Sequence, residues 1–150
     1  MQLPRNLYRV QYSGCNTEAS DTGLSAADTI SFFDEQALPQ FRKSIVNQFT
    51  RDNRTPTPYI SLFSDHTHAE NWALKMGDDV QLLHVDTAQL ADSFIFKLST
   101  LISALPVTIP DAAAQHIQGA YLCLHRVPRN AIVAVIDRDD IATSMRHVTN

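Results

Sequence analysis

Gln118-Gly119-Ala120-Tyr121-Leu122-Cys123-Leu124-His125-Arg126-Val127-Pro128 is the stretch on which the fold turns. Its apolar residues follow one another without helical spacing, and Pro128 closes the run. The pattern predicts a strand buried on both faces, and hence one in the interior of a sheet. Strand side chains alternate, so Gln118 and Ala120 are expected on one face and Gly119 on the other. A polar and a very small residue would then share the strand's open end. That setting suits a ligand and an ordinary sheet edge equally well.

Working outward, Ala131-Ile132-Val133-Ala134-Val135-Ile136 reads as a second strand, reached through the turn Pro128-Arg129-Asn130. Upstream, Leu7 to Tyr12, Tyr59 to Phe63, Val80 to Val85 and Phe94 to Leu98 bring the strands to six. Phe41, Ile45, Val46 and Phe49 recur at helical spacing, which predicts a helix from Leu38 to Thr50 with Pro39 in its first turn. Ala69, Trp72, Ala73 and Met76 mark another. Ser64 or Asp65 is expected to cap it, with Thr67 and Glu70 as an alternative box, and Gly77 to end it. Short helical turns are expected over Ser99 to Leu105 and Asp111 to Ile117. Ser13 to Asp28 reads as a polar loop, the segment from Arg51 to Pro58 as a stiff connection, and the tail from Asp137 as one short helix or none. The expectation is an α+β domain spanning residues 1–150, with flanking helices on a mixed, largely antiparallel split sheet.

The totals exclude several functions. A chain of 150 residues builds one core without staples. A net charge of −4 offers no footprint for nucleic acid, so no nucleic-acid partner is expected. No run approaches the ~18 apolar residues of a membrane span, and the first residues hold no apolar signal core. Two cysteines, Cys15 and Cys123, are too few for a disulfide framework and fit a reducing, cytoplasmic setting. A mature secreted form fits the same residues. Oligomeric state is left open.

His66 and His68, two apart at a helix start, fall on different faces and read as solvated; no zinc-ligand spacing accompanies them, so no metal is expected. His84, His116 and His125 read as core or edge residues. Four glycines leave no phosphate loop, and there is no G-x-S-x-G. What remains is polar residues on strands: Arg9, Ser61 and the pair Gln118 and Ala120. Each alone reads as structural.

In this order on three strands, the pieces resemble the ADP-ribosyltransferase fold of the arginine–serine–glutamate type. Leu7-Tyr8-Arg9-Val10 stands where that family has its L-Y-R-x strand. Tyr59-Ile60-Ser61-Leu62-Phe63-Ser64-Asp65, then Ala69 and Trp72, stands for the aromatic-V-S-T-S strand and its helix. Gln118-Gly119-Ala120-Tyr121 and Val127-Pro128-Arg129-Asn130-Ala131-Ile132 occupy the third element and the following turn. The phrases LYRVQY, PYISLFSDHTHAENWALK and YLCLHRVP are also similar to an uncharacterised domain family widespread in filamentous fungi. The likeness covers nearly the whole chain.

The resemblance implies a mono-ADP-ribosyltransferase-like protein with NAD as substrate. Cleaving the nicotinamide–ribose bond develops an oxocarbenium-like cation, which a carboxylate stabilises. By this analogy Arg9, with Val10 beside it, holds phosphate. Ser61 orients the glutamate, Leu62 and Phe63 line the cofactor cleft, and Phe63 packs on nicotinamide. Gln118 engages an acceptor, with a protein among the candidates. Two departures stand out. Phe63 replaces the second serine, and Ala120 occupies the catalytic glutamate position. Alanine has no oxygen, so the chain is expected to be inactive or weakened. Ala120 fits a degenerate member that binds NAD or a partner; it also fits an introduced Glu→Ala change, which the intact surroundings favour. Catalytic silence and NAD hydrolysis without an acceptor remain the rival outcomes. The transferase reading requires Arg9, Ser61 and residue 120 to meet in one nucleotide-sized hollow.

Overall fold

In a computed structural model, which describes residues 3–50, 55–90, 93–105, 107–111, 113 and 117–149, the opening stretch makes two strands rather than one. In chain order the strands are β1 (Asn6–Gln11), β2 (Glu18–Ser20), β3 (Gly23–Ser25), β4 (Tyr59–Phe63) and β5 (Gln81–Asp86). They continue with β6 (Ile95–Lys97), β7 (Ala120–Leu124), β8 (Arg126–Pro128) and β9 (Ile132–Asp137). The helices are α1 (Leu38–Gln48), α2 (His66–Leu74), α3 (Leu98–Ala104) and α4 (Arg138–Thr149). The six strands expected from sequence form one sheet in the order β6-β7-β4-β1-β5-β9. Every pairing in it is antiparallel.

The break between β7 and β8 is at His125, whose φ of 66° is left-handed and rare for a residue with a side chain. Three hydrogen bonds hold it there. Its N–H donates to Pro58 O and its carbonyl accepts from Ala26 N, while Nε2 lies 2.6 Å from the Ser31 carbonyl. The chain turns out of the main sheet at this point, and β8 joins the antiparallel sheet β2-β3-β8. The Ser13 to Asp28 loop is therefore not structureless. It contains a hairpin of three-residue strands, too short and too polar for alternation to reveal.

The main sheet is the middle of three layers. On one face Tyr59, Phe63, Leu82, Ala120 and Leu122 pack against Phe41 and Ile45 of α1, Ala69 and Ala73 of α2, and Ile141 of α4. On the other, Leu7, Ile60, Leu62, Tyr121 and Cys123 meet Leu24 and Val127 of the small sheet. Both faces of β4 and β7 are buried throughout, as their unbroken apolar runs require. Asp65 caps α2, its side chain accepting from His68 N at 3.0 Å; the helix ends at Lys75, two residues before Gly77. The tail is a correction. It forms a twelve-residue helix, because Asp139 and Asp140 suit its first turn and Ile141 and Met145, four apart, face the core. Most of the Asp111 to Ile117 segment, with His116, and residues 51–54 of the connection lie outside the described residues.

Cys123 is fully buried, and burial pushes its thiol up to about 12, whereas Cys15 is half-buried in the loop after β1. A thiol that stays protonated at any usable pH is a poor nucleophile. A thiol-specific chromogenic reagent at pH 8 is expected to titrate one cysteine in the native protein and two in guanidinium. Prompt reaction of two under native conditions would show that β7 is not buried as described.

Candidate functional site

Arg9, Ser61 and Ala120 come from three adjacent strands, β1, β4 and β7. Arg9 leaves β1 on the face it shares with Leu7, toward the small sheet, and is only 8% exposed. Its Nε donates to Gln11 Oε1 at 3.0 Å, and Nη1 donates to the main-chain oxygen of Ser61 at 3.1 Å. Gln11 passes the chain on, donating Nε2 to the Thr17 carbonyl at 2.8 Å. The register between β1 and β4 is a single pair, Tyr8 with Phe63, beyond which the strands part. The guanidinium occupies that split and takes a carbonyl that a continuous ladder would have used. Among the described residues no carboxylate pairs with Arg9. Burial pushes its pKa down, opposed by Cys15, a further side-chain partner of the guanidinium, and by Tyr12, and an arginine stays charged. The site is thus a buried cation satisfied by neutral groups, an arrangement that costs free energy unless an anion completes it.

Ser61 and Ala120 turn to the helix-covered face. Ser61, 8% exposed, accepts from Gln48 Nε2 of α1 at 2.8 Å, and the Gln48 carboxamide oxygen takes the Thr57 hydroxyl. Ala120 is wholly buried, with Phe63 opposite it across the ladder. The structure therefore brings Arg9 to the backbone of Ser61 but leaves the Ser61 hydroxyl and residue 120 on the other face. The expected single hollow holding all three side chains is not formed, because Arg9 is odd in a strand whose even residues face the helices. Val10, Leu62 and Phe63 are core residues, at 3%, 0% and 5% exposure, so their side chains do not line the expected open cofactor cleft. Gln118 also departs from expectation. It lies in the turn before β7, exposed, so strand alternation does not govern it.

The helix-covered face ends in a row of rings. His84, Tyr8, Phe63 and Ala120 stand in register across β5, β1, β4 and β7. His66 stacks on Tyr8 with centroids 4.6 Å apart, His84 does so at 5.2 Å, and His68 meets the edge of Phe63 at 5.7 Å. His66 is exposed, as expected, but both α2 histidines pack on rings. No cluster of metal-ligating side chains occurs among the described residues. Sequence reasoning missed Gln11 and Gln48, the polar partners of Arg9 and Ser61. Gln11 had a signal, since it lies two residues from Arg9 and so on the same face of the strand; Gln48, across the fold, had none.

The sequence pattern of a family described as "Domain of unknown function (DUF7587)" matches residues 2–141. The chain belongs to that family. No curated protein matches the DUF7587 chain. No solved structure matches it. Within the DUF7587 domain the matched span takes in every strand, α1 to α3, and the start of α4, so Arg9, Ser61, Gln118 and Ala120 all fall inside it.

Proposed function

We propose that this DUF7587 domain is a catalytically silent module that binds NAD through its phosphates at Arg9. With Arg9 on one face of the sheet and the Ser61 hydroxyl and residue 120 on the other, the three side chains do not form a transferase site. One observation carries the reading: the Arg9 guanidinium, 8% exposed, sits in the split between β1 and β4 with Gln11, the Ser61 carbonyl and Cys15 as partners and no carboxylate among the described residues. A pyrophosphate is the complementary group. Its oxygens accept two parallel N–H bonds from a guanidinium and return the charge that Gln11 cannot supply. Gln11 and the loop to Thr17 would give way as the anion enters, the Ser61 carbonyl remaining as a fixed neighbour. Ala120 carries no carboxylate and lies wholly buried beneath the helices, on the face away from Arg9, so it offers nothing to a developing ribose cation. Two free cysteines, one buried, support a reducing, cytoplasmic setting.

Calorimetry with NAD on the chain as it stands tests the binding half, and a flat titration overturns it. For the chemistry, Ala120→Glu is expected to leave nicotinamide release at the level of the unmodified chain, because the added carboxylate faces the helices and not a ligand held at Arg9. The same change is expected to cost about 2–4 kcal/mol of stability, since it buries a carboxylate where a methyl now sits. Free ADP-ribose among the products would indicate hydrolysis, and labelled protein would indicate transfer. A folded Ala120→Glu protein that releases nicotinamide at least ~100-fold faster than the unmodified chain would overturn the silent reading in favour of a transferase or glycohydrolase.

A further inference from the structure

A second feature lies at the other end of β7, roughly 13 Å along the strand from Ala120 at ~3.3 Å per residue. There a cavity of about 350 Å³ is lined by Phe32, Ser93, Phe94, Leu124, His125 and Arg126. Its volume lies in the range of small-ligand sites. Phe32 and Phe94 are 52% and 61% exposed, although large apolar side chains are elsewhere mostly buried. Their rings sit 5.9 Å apart and tilted by 56°, in contact with each other, so together they present one exposed aromatic surface.

The polar side is equally specific. Arg126 is the exposed cation of the lining and makes no ion pair among the described residues. His125 is held at its left-handed φ, and its Nε2 is committed to the Ser31 carbonyl, so the wall is rigid. Asp28 is not a lining residue but interacts with His125, which is, and accepts from Ile30 N and Ser31 N, both at 2.9 Å, which fixes the loop carrying Phe32. Strain of the His125 kind persists only where its surroundings enforce it, and it concentrates at binding sites.

We infer that this cavity binds a small aromatic carboxylate, its ring packed on the exposed faces of Phe32 and Phe94 and its carboxylate on Arg126. The site is independent of Arg9 and does not rest on the NAD reading. The probe is phenylacetate, titrated into isotopically labelled protein and followed by amide chemical shifts. Saturable shifts at Phe94, Leu124 and Arg126 are expected, with a Kd on the order of 1 mM for a ligand of this size. Arg126→Gln is expected to weaken binding roughly tenfold, and the neutral isostere phenylacetamide should bind the unmodified protein more weakly by a similar factor. Arg9→Met should leave the titration unchanged. No saturation by ~20 mM, saturation at other residues, or equal affinity for acid and amide would each overturn the assignment.

Discussion

Arg9→Met is expected to abolish NAD binding while leaving the fold about as stable as before. The two effects separate because the residue serves them differently. For stability, Arg9 is a desolvated charge with no opposite charge among the described residues, so replacing it with an apolar side chain of similar length removes a standing cost. Against that gain, the change leaves Gln11 Oε1 and the Ser61 carbonyl without their donor, at about 1–3 kcal/mol each. The terms nearly cancel, and the melting temperature should move by no more than ~4 °C in a chain of this size. For binding nothing offsets the loss. Two charge-assisted bonds to phosphate contribute together about 3–4 kcal/mol, so affinity should fall by a factor of ~100 or more. Arg9→Lys should fall between, because an ammonium is a point charge and cannot hold both bonds. Calorimetry and a thermal melt on the same samples decide the matter. Unchanged affinity with Met at position 9 means that the anion site lies elsewhere; a collapse in melting temperature means that Arg9 is a structural strut.

How much of this was readable in the chain depends on what each residue needs from its neighbours. The cores of β4 and β7 need only themselves: unbroken apolar runs such as Tyr59 to Phe63 are tolerated only where both faces are covered. β1 was readable from its alternation, with Tyr8 and Val10 on the helix face. His125 was not readable as a corner, because the same apolar run continues on both sides and only backbone bonds to Pro58 and Ala26 reveal the change of sheet. α4 hid for a different reason. Its polar face dominates the composition, and Ile141 becomes a core residue only once the helices of the same layer exist to bury it. The candidate site was legible as residue types and not as geometry. Which face Arg9 takes follows from its odd place in β1. That its head then turns into a split between strands depends on how far β1 and β4 separate, which no local pattern encodes.

The largest purely structural effect is expected at Gly23, where even one methyl group should uncouple the small sheet. Gly23 opens β3 opposite Pro128 of β8 and has a φ of +123°, a conformation side chains rarely adopt. A Cβ built there lies 2.1 Å from Val127 O, 2.8 Å from Arg129 N and 2.9 Å from the Pro128 carbonyl carbon. All three are backbone atoms, so no rotamer change relieves the clash; β8 must move. Moving it uncovers Leu24 and Val127, now 1% and 0% exposed, at about 1.5–3 kcal/mol for each side chain returned to water. Gly23→Ala should therefore cost more than about 3 kcal/mol and lower the melting temperature by ~6–12 °C. Gly14→Ala is the control. Its φ of +94° carries similar conformational strain, but nothing lies within 4 Å of the added carbon, so a loss of about 1 kcal/mol is expected. Hydrogen exchange distinguishes local from global failure: the Leu24 and Val127 amides should lose protection in Gly23→Ala before those of β4 and β7 do. Because the small sheet covers the face from which Arg9 enters the split, the same variant should also loosen the Gln11–Thr17 link and weaken NAD binding with Arg9 intact. Equal destabilisation by the two glycine substitutions would mean that backbone strain, and not the close approach of β8, governs this corner of the fold.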